Sequence, residues 1–106
     1  MTITDIQLLT AIECGELEAR PLIEGDQIFI LILIGGSEVE RIGCLHLERP
    51  GAKVTPDGRS VEVFPSHGLP DGFSIPCGTH EQAITIAEAL NDCFETAYLD
   101  LMDAKP

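Results

Sequence analysis

The sequence predicts an α+β protein: an antiparallel sheet of four or five strands, with a short amino-terminal helix and a long carboxyl-terminal amphipathic helix. Three observations predict it. Gln27-Ile28-Phe29-Ile30-Leu31-Ile32-Leu33-Ile34 is a dry aliphatic run bounded by Gly25-Asp26 and Gly35-Gly36, the mark of a buried central strand. Apolar residues recur at helical spacing from Ala83 to Leu101. Turn residues punctuate the stretch between these two segments.

The elements follow in order. Thr4-Asp5-Ile6-Gln7 fits a capping box, with Thr4 as N-cap and Gln7 reaching back. Ile6, Leu8, Leu9, Ala11 and Ile12 supply an apolar stripe, and Gly15 stops the helix. Glu18 to Glu24 reads as a first strand that Pro21 demotes toward an edge. Gln27 to Ile34 is the central strand. Glu38 to Glu48 is a third, with Gly43 marking an expected bulge and Pro50-Gly51 ending it. Thr55-Pro56-Asp57-Gly58 is a turn joining Ala52–Val54 to Ser60–Phe64. Pro65 to Gly78, rich in Pro and Gly, reads as a loop. Thr79-His80-Glu81-Gln82 is a second capping box, opening a helix from His80 to about Met102. Ala83, Ala87, Leu90, Phe94, Ala97 and Leu101 line its inner face, flanked by Ile86 and Cys93 on one side and Tyr98 on the other.

Length and composition bound the function. A chain of 106 residues with no linker reads as one domain, residues 1–106, and 44% hydrophobic residues supply its core. Aromatics are only 5%, so that core is aliphatic. The charge is 18 acidic against 6 basic residues, net −12, which opposes direct binding to nucleic acid or to an anionic membrane. It suits a basic protein partner. The amino terminus lacks a basic signal region and the longest apolar run is too short for a bilayer, so the expected location is cytoplasmic. Cys14, Cys44, Cys77 and Cys93 are widely spaced and read as reduced thiols filling core positions.

The central strand sets a packing problem. Ile28, Ile30, Ile32 and Ile34 point one way, while Phe29, Leu31 and Leu33 point the other. Either the two helices cover one face each, or both lie on one face and a second subunit covers the other. The short first helix favours the second solution, so the expectation is a homodimer with the isoleucine row as a dimer or core surface.

Four candidate sites stand out. Glu81, Glu88, Asp92, Glu95 and Asp103 share the outer face of the last helix, the expected docking surface for a basic partner. The bland alternative is a solvated helix face. Cys77 and His80, three residues apart at a helix start, are the one nucleophile-like pair, without an orienting third group. Cys44-Leu45-His46, Cys77-x-x-His80 and His67 offer sulfur and nitrogen donors but no paired zinc spacing. Leu69 and Phe73, in the Pro-Gly loop, are either a contact patch or a fastening to the core. No phosphate-cradling glycine motif occurs. The expected function is therefore a small, acidic, non-enzymatic binding or inhibitory protein, without cofactor or metal, that docks a basic protein through its last helix. The alternatives are a phage- or plasmid-type inhibitor imitating DNA at the nucleic-acid site of a defence or DNA-processing enzyme, and a Cys/His enzyme or metal protein.

Overall fold

The computed structural model describes residues 4–44, 51–64 and 73–104, without the side chains of residues 44, 64, 73 and 104. Helix α1 (Asp5–Cys14) precedes strands β1 (Leu17–Glu24), β2 (Gln27–Ile34), β3 (Ser37–Cys44), β4 (Gly51–Val54), β5 (Ser60–Phe64) and β6 (Phe73–Pro76), and helix α2 (His80–Ala104) closes the chain. The fold is α+β, with every strand pair antiparallel. One expectation needs correcting. The described strands form two three-stranded sheets, β1-β2-β3 and β4-β5-β6, not a single sheet of four or five.

The physical reason for the division lies at β4. The backbone N–H of Ala52 donates to Oδ1 of Asn91 on α2 (2.9 Å), and Asn91 Nδ2 donates to the Ala52 carbonyl (2.8 Å). A helix side chain thus occupies the pairing groups that a neighbouring strand would use, and protects a free edge. The sixth strand was hidden in the segment read as a loop. Phe73–Pro76 pairs with β5 despite its terminal proline, and its Ile75 is fully buried.

Other elements follow their local chemistry. Thr4 Oγ1 accepts from the Gln7 N–H (3.2 Å), the Thr4 N–H donates to Gln7 Oε1 (2.9 Å), and Gly15 ends α1 in the left-handed conformation. The β2–β3 hairpin turns on Gly35 and Gly36, at φ of 60° and 85°, as a two-residue turn with positive φ at both positions requires. At the start of α2, Thr79 Oγ1 accepts from the Gln82 N–H (3.1 Å). Strand β3 ends at Cys44, and residues 45–48 of the expected strand lie outside the described residues. The bulge is at Val39, not Gly43: Ile32 pairs with Glu40 while Leu33 pairs with Glu38, which leaves Val39 as the extra residue.

One contiguous core joins the helices and both sheets. Leu8 of α1, Ile28, Ile30, Ile32 and Ile42 of the first sheet, Val61, Val63 and Ile75 of the second, and Ile86, Leu90, Phe94 and Leu101 of α2 all belong to it. Ala83, Ala87 and Ala97 let α2 approach closely, since small residues bring the backbone near its neighbours. Both helices therefore pack on the isoleucine face of β2. The opposite row fares differently: Phe29 and Leu31 are only half-buried, whereas Leu33 is buried outside the main core.

Candidate functional site

The 25 residues of α2 rise about 37 Å, close to the 42 Å long axis of the molecule. Its inner face is the predicted stripe, buried along its whole length. Its outer face carries Glu81, Glu88, Asp92, Glu95 and Asp103, all exposed. These five carboxylates spread over about 33 Å, or one charge per roughly 7 Å. Duplex DNA carries one per about 1.7 Å.

The outer face also holds something that sequence reasoning missed. Leu99 is 55% exposed, Met102 43% and Ile84 38%. Leu99 lies one turn beyond Glu95 and one turn before Asp103, and Met102 is three positions further along. The carboxylates thus border apolar side chains on the same helix face. The signal was present in the sequence, because these three positions fall outside the inner stripe. Near the carboxyl-terminal end Asp100 and Asp103 oppose the helix dipole, and no basic residue stands in the last turn to offset them.

Cys77 and His80 are not arranged as a nucleophile and its base. His80 Nδ1 meets the Gly58 carbonyl at 3.0 Å and so fastens α2 to the β4–β5 turn. Cys77 Sγ donates to the Ile75 carbonyl at 3.5 Å. Burial first, then the nearby Asp5 carboxylate, push the Cys77 thiol above its ordinary range, the reverse of nucleophile activation. Asp5 also accepts from the Gly78 N–H (3.2 Å), tying the starts of the two helices together. Among the described cysteines, Cys77 and Cys93 are half-buried and pack against the core, near the role that the sequence suggested, whereas Cys14 is exposed. The Cys44 side chain lies outside the described residues.

Among the described residues no group of three His, Cys, Asp or Glu side chains converges as metal ligands would. His46, His67 and Leu69 lie outside the described residues, as does the side chain of Phe73. Two shallow grooves flank α1. One of about 340 Å³ is lined by Ile6, Gln7, Thr10, Glu16, Ile34 and Val39, and one of about 190 Å³ by Ile12, Leu17, Ala89, Asp92 and Cys93. Both are open, and most of their lining is apolar. No described helix is long and apolar enough to cross a membrane.

The outer face of the β1-β2-β3 sheet is the second mixed surface. Arg20 forms a two-pronged pair with Glu18 (Nε–Oε2 2.7 Å), and Arg41 another with Glu38 (Nε–Oε2 2.8 Å). The Arg41 guanidinium also stands 5.2 Å from the centre of the Phe29 ring and 3.7 Å from Glu24. The hydrogen bonds from Arg41 hold the Glu38 carboxyl below the usual range. In comparison with known proteins, no family model, no curated protein and no solved structure matches the chain.

Proposed function

We propose that the protein is a small non-enzymatic binding or inhibitory protein that docks a basic protein partner on the outer face of α2. The observation that carries this reading is the company the carboxylates keep. Leu99 and Met102 stand exposed beside Glu95 and Asp103, so one helix face combines apolar and acidic groups. An interface uses both kinds of group. Charges steer a partner of opposite sign and set the on-rate, while apolar side chains buried at the centre hold it and set the off-rate.

The same mixture disfavours imitation of DNA at a nucleic-acid site, since exposed leucine and methionine have no counterpart in a phosphate backbone and the charge spacing is about fourfold too wide. The test is a partner recovered from extract of the source cell and then measured as a purified pair. Glu88→Gln, Asp92→Gln and Glu95→Gln combined should leave stability within about 0.5 kcal/mol and slow association. Leu99→Ser should leave the on-rate nearly unchanged and speed dissociation. If both variants bind like wild type, this face of α2 does not dock the partner.

A further inference from the structure

The two sheets treat their outer faces differently. The outer side of β4-β5-β6 presents Lys53, Glu62 and Ser74, as a solvated face should. The outer side of β1-β2-β3 carries the half-buried Leu22, Phe29 and Leu31, with Leu33 already buried within one copy. Its charges are ordered in rows across the strands. Glu18, Leu33 and Glu38 stand side by side, and the next row is Arg20, Leu31 and Arg41. An acidic row therefore adjoins a basic one, each centred on a leucine.

The bulge at Val39 creates this order. Residues three apart on a regular strand point to opposite faces. The extra residue turns Glu38 onto the face of Arg41, where the two pair.

We propose that this face is a homodimer interface, with a two-fold axis running across the strands between the two charged rows. That axis lays the acidic row of one copy on the basic row of the other. Glu18 then faces Arg20 of the partner subunit, and Glu38 faces Arg41 of the partner subunit. An axis along the strands does the opposite. It sets Glu18 against Glu38 of the partner subunit and Arg20 against Arg41 of the partner subunit, so charge alone selects between the two arrangements. The half-buried Leu31 becomes covered.

The net charge of −12 on each copy does not forbid this pairing. Helix α2 packs on the other side of the sheet, so the two acidic helices end up about three layers of roughly 10 Å apart. That separation exceeds the screening length of about 8 Å at physiological salt. Three strands about 4.8 Å apart and about 27 Å long give a footprint on the order of 400 Å², which places the dimer among weak, micromolar associations.

The test uses two charge-inverted variants of the full chain. One carries Glu18→Arg and Glu38→Arg, the other Arg20→Glu and Arg41→Glu. These groups are exposed and their intrachain pairs contribute little to folding, so both variants should fold, as thermal melting checks. Sedimentation equilibrium of wild type up to ~200 μM, the range set by a small interface, should show reversible dimerisation. Each variant alone should associate ~100-fold more weakly, because like charges meet across the interface. An equimolar mixture should restore the dimer as a heterodimer, since two basic rows then meet two acidic ones. A monomeric wild type overturns the proposal. So do variants that dimerise as wild type does, and so does a mixture that stays monomeric.

Discussion

Asn91 is the residue whose replacement most directly tests how the two sheets are kept apart. Its amide holds both backbone groups of Ala52, at 2.9 and 2.8 Å. A partly buried hydrogen bond contributes about 0.5–1.5 kcal/mol net, so the pair supplies roughly 2 kcal/mol. Asn91→Ala forfeits both bonds but gains about 0.6 kcal/mol of helix propensity. The net loss is about 1.5 kcal/mol, which lowers the melting temperature of a domain this size by roughly 6–12 °C. Asn91→Asp keeps an acceptor for the Ala52 N–H but points an anion at the Ala52 carbonyl, and should destabilise at least as much. Urea unfolding followed by circular dichroism gives the free energies, and hydrogen exchange at the Ala52 amide gives the local effect. The exchange should speed up in the alanine variant. Unchanged exchange together with unchanged stability would refute the argument that this side chain closes the edge of β4.

Three other outcomes are expected. Leu90, fully buried in the shared core, should cost about 2–5 kcal/mol when cut to alanine, read as a shifted urea midpoint with the same slope. Gly58→Ala places a Cβ 2.8 Å from His80 Nδ1 at a φ of +75°, so it should destabilise by at least the ~1–2 kcal/mol of a left-handed residue, and His80→Ala in that background should relieve only the steric part. Burial raises the Cys77 and Cys93 thiols above their ordinary 9.0, so exposed Cys14 should alkylate before these two in mass-spectrometric time courses. Because these folded-state values are raised, their contribution to stability is whole below pH 9.0 and is lost as pH climbs through the folded pKa values, which alkaline melting curves should show.

The parts of the fold legible in the sequence are those set by local chemistry. The capping box at Thr4, the glycine turns around β2, the hairpin at Pro56-Asp57 and the inner stripe of α2 were all readable because each depends on residues a few positions apart. The outer position of the five acids on α2 follows from the same periodicity. The division into two sheets was not readable, because it rests on a bond between positions 52 and 91. Strand β6 was obscured by the prolines and glycines around it, although Ile75 between Ser74 and Pro76 carries the alternation of a strand buried on one side. Gly43 looked like the bulge because glycine often marks one, yet the extra residue is Val39, fixed by how β3 registers with β2. Half of the packing problem posed by β2 is settled by α1 and α2, which share the isoleucine face. The other half passes to the ordered Arg–Glu rows, whose geometry depends on that bulge.

Attraction of a basic protein partner by the carboxylates of α2 is tested most directly by the salt dependence of binding. With the purified partner, association of the wild-type chain should slow as ionic strength rises, because attraction between opposite charges is screened over about 8–10 Å at physiological salt. The chain carrying Glu88→Gln, Asp92→Gln and Glu95→Gln should bind more weakly with a flatter dependence. Equal affinities and equal salt slopes for the two proteins would contradict the claim and leave the acidic stripe as a solvated helix face.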